Sequence, residues 1–375
     1  MIPRAAALAA LVTVGGCSAP LRVGVVVPET GAAAVYGASV KSGVRLAFDR
    51  AAAGAAAPGG LEVVYRDSGS DPARAASAAA AMFDGGAVAV IGGVTSAEAR
   101  ALIAVAERAE RVLLSPSASA PDLAHRTRFF FRVYPSDELE GVRAADFLAL
   151  TRGTRAVLVL QEDNDYTRGL LPVFVRELTS RGGRITGSVR LDESGWQAQV
   201  REVVARRSPD GVYVCGYGDA ILGALRLLRN LGFRGTICTT SAFSAGSLLA
   251  RAGSPAEGVF FPRARLDVTS YREPVQSFVR RYRAAYNLTP DIYAAHGYDA
   301  ALAILAGIDG AGRLSGGALA QRLHSLAGVE GVMGPIAFDE EGNILRVLRN
   351  HWIHNGRVEE FDSSRDAERP AGGGA

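Results

Sequence analysis

Short, wholly apolar runs alternate along the first 130 residues with longer stretches in which apolar positions recur every three or four residues. Leu21–Val27 and Ala87–Ile91 are continuous runs, the pattern of strands buried on both faces of a parallel sheet. Leu61–Arg66 and Val112–Leu114 read as two further strands. Between them Val40, Val44, Ala47 and Phe48 mark one helix face, and an alanine-rich helix follows Pro72. Leu102, Val105, Ala106 and Ala109 then stand at i, i+3, i+4 and i+7. Strand–helix alternation at this spacing predicts βαβ units around a parallel sheet. Gly92-Gly93 breaks one strand, and Thr95 or Ser96 offers a helix-capping hydroxyl. Ser115 to Pro121 stops the next strand with three serines and two prolines. Two neighbouring strands thus end in hydroxyl-rich loops at the carboxyl edge of the sheet, where open α/β sheets bind ligands. Backbone amides at a helix start suit a carboxylate. Turn chemistry accounts for the same serines and prolines equally well.

A second series begins after Phe129–Val133. Asp137 and Glu138 lead a helix, and Ala156–Leu160 is another buried strand. Leu171, Phe174, Val175 and Leu178 share a helix face; Val189–Leu191, Gly211–Cys215, Thr236–Thr240 and Gly258–Phe261 read as strands. Beyond Asp267 the pattern turns helical, with Val275, Phe278, Val279 and Tyr282 on one face and Tyr293–Ile308 apolar throughout. Gly331–Phe338 and Ile344–His354 read as strands around a turn at Asp339–Asn343. Asp362–Ala375 is charged and then Pro/Gly-rich, the composition of a disordered tail.

A chain of 375 residues exceeds the size at which single cores stop growing, so two domains are expected. The net charge of +3, without a dense Lys/Arg run, gives no nucleic-acid footprint. With 3 Cys there is no disulfide scaffold. For Cys215 and Cys238, at the ends of two strands, a disulfide and two free thiols both stand. Arg4, the apolar run Ala5–Val14 and Val14-Gly15-Gly16-Cys17 read as an export signal ending at a lipidated Cys17, with an ordinary secretory signal as the alternative. On the first reading acyl groups alone tether the protein to a membrane. His351 and His354 point to opposite faces of a strand, so no shared metal is expected. No HExxH, G-x-S-x-G or Walker A pattern occurs. Neither an enzyme nor a cofactor is expected.

Taken together, LRVGVVVPETGAAAVYGASVKSGVRLAFD, YRDSGSDPARAASAAA, AVIGGVTSAEA, LLSPSASAPDL, FRVYPSDELEG, DGVYVCGYGDA and GPIAFDEEGN, over residues 21 to 361, resemble the extracytoplasmic Leu/Ile/Val-binding-protein family. These are the type I periplasmic substrate-binding proteins of branched-chain amino-acid ABC importers. The resemblance implies an α/β fold of two Rossmann-like lobes joined by a three-crossing hinge, with crossings near Asp137, Ala264 and Phe338. The first lobe would hold residues 21–137 and 265–337, the second 138–264 and 338–361, after a signal over 1–17 and a spacer over 18–20, and before the tail at 362–375. The family's carboxylate-binding Ser matches Ser96, and its next loop falls on Ser117, Ala118 and Ser119. Tyr36 walls the first-lobe side; Tyr166 and Tyr217 match aromatic walls of the second. Where amino-acid binders carry an acid for the α-ammonium, this chain has Ser241, followed by Phe243, and no Asp or Glu lies in that loop. A buried unpaired ammonium is costly, so the expected ligand is an aliphatic or aromatic carboxylate, an amide, or an amino acid held by another acid such as Asp137. The implied protein is a monomeric, exported, membrane-anchored binder. It would deliver a small amino acid or related carboxylate to ABC permease subunits, with a ligand-sensing receptor as the alternative.

Overall fold

The apolar runs become the strands of two sheets. The computed structural model describes residues 20–53, 60–311 and 314–366. Its first sheet holds β1 (Leu21–Val27), β2 (Leu61–Asp67), β3 (Ala87–Gly92), β4 (Val112–Ser115) and β5 (Phe130–Arg132), all parallel, in the order β2-β1-β3-β4-β5. Every residue of β3 and β4 is buried, which is why these strands show no polar alternation. Helices α1 (Ala34–Ala53), α2 (Pro72–Asp84) and α3 (Ser96–Ala109) link the first four strands.

The chain then moves to a second sheet through α4 (Asp137–Asp146), which packs on α5 (Asp165–Ser180). Gly141 permits that approach, since a Cβ there would stand 2.9 Å from the Val173 side chain. Strands β6 (Ala156–Gln161), β7 (Arg184–Arg190), β8 (Gly211–Cys215), β9 (Thr236–Thr239) and β10 (Phe260–Ala264) are parallel, and α5, α6 (Trp196–Arg207), α7 (Gly218–Asn230) and α8 (Gly246–Ala252) link them. After β10 the chain returns to the first sheet: α9 (Glu273–Tyr286) and α10 (Ile292–Ile308) lie on α1, and α11 (Gly316–His324) lies on β3 and β4. The short pair β11 (Val329–Glu330) and β12 (Pro335–Ile336) follows. Last, β13 (Leu348–His354) and β14 (Arg357–Glu360) add antiparallel strands beside β10, giving the order β14-β13-β10-β9-β8-β6-β7. Two Rossmann-like sheets, with three passages of chain between them, make the α/β architecture expected from the sequence.

The third passage lies later than Phe338. Arg132 donates its amide to Gly342 O at 2.9 Å and accepts from Ile344 N at 3.1 Å, so residues 342–344 still lie along β5. Gly342 has φ +77°, and a Cβ there would stand 2.1 Å from Phe130 O, so this close approach needs glycine. The strand expected over 331–338 shrinks to Pro335–Ile336, and β13 begins at Leu348 instead of Ile344. Buried Asp299 is the reason: its carboxylate takes the amides of Val332 at 2.7 Å and Met333 at 3.0 Å and Arg346 Nη2 at 3.0 Å. Those bonds hold the segment as turns. A second difference falls at the end of the chain, where Ser363–Asp366 form α12 with Asp366 buried, in place of a disordered tail from Asp362. Cys215 and Cys238 are both free and buried. Cys17 and the export signal lie outside the described residues, as do residues 367–375. Among the described residues no helix is long and apolar enough to cross a membrane.

Candidate ligand site between the two lobes

The carboxyl edges of both sheets face one small cavity. On the first lobe the loop after β3 enters α3 through a capping box: Glu98 N donates to Thr95 Oγ1 at 3.2 Å, and Thr95 N donates to Glu98 Oε2 at 3.2 Å. The loop after β4 is laced to it. Ser115 Oγ donates to Gly93 O at 2.8 Å and Ser117 Oγ to Val94 O at 2.7 Å. Val94, Thr95, Ser117 and Ser119 line the cavity. Ser96 does not: as the first residue of α3 it is buried beneath the loop, where its Oγ accepts from Ala120 N at 3.3 Å. Ala118 is turned away as well, its amide donating to Ser115 Oγ at 2.9 Å. The helix cap that faces the cleft is Thr95.

On the second lobe Tyr166 sits in the first turn of α5, behind the Asn164–Thr167 capping box. Tyr217 caps α7, its amide held by the Glu162 carboxylate. Gly218, at φ +38°, then donates its amide to Tyr36 Oη at 2.9 Å, a hydrogen bond from one lobe to the other. Tyr36, Tyr134, Tyr166, Tyr217 and Tyr293 all line the cavity with Ser241 and Ala242. The rings form a connected chain, with centroids 5.2 Å apart for Tyr166–Tyr217, 5.7 Å for Tyr36–Tyr217, 5.0 Å for Tyr36–Tyr293 and 6.3 Å for Tyr134–Tyr293. Burial raises the hydroxyl pKa of all five, so each stays a neutral donor. Phe243 is not part of this wall. It is fully buried, edge-on to Phe261 with centroids 5.7 Å apart, and belongs to the core.

Ser241 is where the sequence lacks an acid, and the structure brings one there from elsewhere. Glu140, on α4, accepts from Ser241 N at 2.7 Å, from Ser241 Oγ at 2.7 Å and from Tyr166 Oη at 3.1 Å. Burial pushes its carboxyl up to about 7, the three hydrogen bonds opposing. Asp137 lies one turn earlier on the same helix face, fully buried, its amide donating to Ser119 O at 2.8 Å. Neither of its carboxylate oxygens has a hydrogen-bond partner among the described residues. Burial and the nearby Glu140 charge push it well above the ordinary range; the Ser119 hydroxyl and Arg132 oppose the rise from outside hydrogen-bond geometry. Its charge also acts on Tyr134, Tyr166 and Tyr217. The Tyr134 hydroxyl, also buried, has no partner in hydrogen-bond geometry.

Glu140, Tyr134, Tyr293 and Thr95 are the residues that sequence reasoning missed. The signal for Glu140 was present: Asp137, Glu140, Gly141, Ala144 and Ala145 form the buried face of α4, so helical periodicity puts both acids with the small residues.

The cavity has a volume of about 20 Å³, enough for roughly one water. Ligand pockets are typically about 300 Å³ or more, so a ligand requires the tyrosines to part. Contacts between lobes hold the cleft shut: Arg100 Nε meets Asp165 Oδ2 at 2.9 Å, and Gly246 N donates to Asp291 Oδ2 at 2.9 Å. A polar, tyrosine-lined cleft between two lobes on a three-passage hinge defines a class, the hinged binding proteins that close on a small solute.

Residues 20–353 match the profile of the periplasmic binding protein family. A Leu/Ile/Val-binding protein homolog of Brucella melitensis is 27% identical over 88% of this chain and 91% of its own. The leucine-, isoleucine-, valine-, threonine-, and alanine-binding protein of Pseudomonas aeruginosa is 24% identical over 86% and 87%. The solved leucine-binding protein LivK of Thermotoga maritima superposes with a TM-score of 0.85 at 27% identity, covering 91% of this chain and 98% of that one. The chain belongs to the periplasmic binding protein family, and the relatives and solved structure it resembles carry the names of branched-chain amino-acid binders. It is a solute-binding protein rather than an enzyme, and the family implies an extracytoplasmic location.

Proposed function

We propose that this protein captures a small apolar amino acid outside the cytoplasm and delivers it to the permease of an ABC importer, tethered to its membrane through a lipidated Cys17 and acting as a monomer. One observation carries the choice of an amino acid over a carboxylate without an amine. Asp137 and Glu140 are buried on one face of α4, directly behind the lining residues Ser119, Ser241 and Tyr166, and no Lys or Arg among the described residues forms an ion pair with either. Glu140 already has three donors, but Asp137 has none; a buried carboxylate is costly in its charged form without a charged or multiply donating partner, and a ligand ammonium supplies both. In this reading Ser117, Ser119 and the Thr95 cap take the ligand carboxylate, the tyrosines enclose its apolar body, and α4 holds its ammonium. Lobe closure follows from contacts made only in the closed form. The names of the relatives, which bind leucine, isoleucine and valine, point the same way.

A thermal-shift panel of the exported protein against leucine, isoleucine, valine, threonine and alanine tests the reading. A saturable rise that scales with ligand concentration over Kd is expected for at least one. If none shifts the melt, the assignment of the cleft fails.

A further inference from the structure

A second, larger groove lies beside the hinge and shares no lining residue with the tyrosine cavity. Its volume is about 830 Å³. Its walls come from both lobes: Val35 and Ala38 on α1, Leu249 on α8, Leu266 just beyond β10, and Leu288 before α10. Arg263 of β10, only 8% exposed, also lines it. Its Nε is buried without a partner, and its guanidinium forms no ion pair or hydrogen bond among the described residues.

The acids around this arginine are already engaged. Asp291, which also lines the groove, accepts from Ser39 Oγ and Gly246 N on Oδ2, each at 2.9 Å, and from Ala294 N on Oδ1 at 2.9 Å. Glu29 at the rim pairs with Lys41 at 2.5 Å. Glu360, whose charge reaches Arg263, pairs with Arg265 at 3.3 Å. The other groups beside it are Tyr134, a neutral phenol of the tyrosine cavity, and His351, held uncharged by burial and by Arg263 itself. A buried cation is costly without an anion, and a guanidinium is shaped for a bidentate carboxylate. The groove therefore offers a guanidinium that has no direct ion pair of its own, beside a largely apolar wall.

We propose that this groove is a second ligand site, for an amphipathic monocarboxylate whose carboxylate pairs with Arg263 and whose apolar tail lies between α1 and α8. Octanoate is the probe, with octanol as the uncharged control, titrated by calorimetry into the exported protein. Saturable binding of octanoate is expected, with octanol at least about tenfold weaker, the size of one charge-assisted contact. Arg263→Gln is expected to lose the same factor, and Leu249→Glu to abolish binding while leaving leucine binding intact. If Arg263→Gln does not fold, Leu249→Glu and the octanol comparison still decide. Octanol binding as well as octanoate, an unchanged affinity in Arg263→Gln, or no saturable octanoate binding would each overturn the proposal.

Discussion

Ligand binding should expel a proton, because the acid proposed to face the ammonium is itself protonated in the empty protein. Burial pushes Glu140 up to about 7, and Asp137 is raised as well. Below pH 7 the empty cleft therefore holds Glu140 mainly as the neutral acid. An ammonium contact requires the charged form, so affinity falls tenfold per pH unit below about 7 and levels off above it. From pH 7, where half of Glu140 is already protonated, to pH 5 that is about 50-fold, or about 2.3 kcal/mol at 1.36 kcal/mol per tenfold step. Stability of the empty protein runs the other way. The folded pKa lies above the ordinary 4.5, so between these values the folded chain binds more protons than the unfolded one, and this group's contribution to stability declines as pH rises through the window. Calorimetric titration with leucine from pH 5 to pH 8, in two buffers of different ionisation enthalpy, counts the protons released. Release approaching one proton at pH 6, lost in Glu140→Gln, is the expected result. A flat affinity profile with no proton release refutes the link between α4 and the ammonium.

Three further substitutions separate binding from folding. Tyr36→Phe removes the acceptor of the Gly218 amide across the lobes and should weaken leucine binding by about 0.5–1.5 kcal/mol, with the melting temperature of the empty protein nearly unchanged. Phe243→Ala deletes a core ring and should cost about 3–5 kcal/mol in a denaturant melt, with any loss of affinity following the loss of fold; a selective loss of affinity would return Phe243 to the ligand wall. Arg346→Ala leaves Asp299 buried without its cation and should cost about 3–5 kcal/mol, while Arg346→Lys recovers part of it in the same melt.

The parallel strands were legible because β1, β3 and β4 are buried on both faces and read as unbroken apolar runs. The end of the chain was less so. Val332 and Met333 look like strand residues, yet their amides are claimed by Asp299, more than thirty positions earlier in the chain. In the site, Tyr36, Ser117, Ser119, Tyr166, Tyr217 and Ser241 reach the cavity, Asp137 lies buried behind it, and Ser96, Ala118 and Phe243 turn into the protein. Helix phase decides the Ser96 case: Thr95 takes the cap, which puts Ser96 inside the first turn. Ser241 looks like a missing acid within its own loop, and Glu140 enters that loop from a helix a hundred residues away. Contacts of that separation depend on how α4 docks on α5, which no local pattern encodes.

On this reading α4 supplies the counter-charge for an ammonium. Leucine and 4-methylpentanoate, the same acid without the amine, test it most directly when titrated side by side into the exported protein at pH 8. Leucine should bind at least about 100-fold more tightly, the scale of a buried charge-assisted contact. Equal affinities, or a preference for 4-methylpentanoate, would contradict it and leave Asp137 and Glu140 as elements of the fold alone.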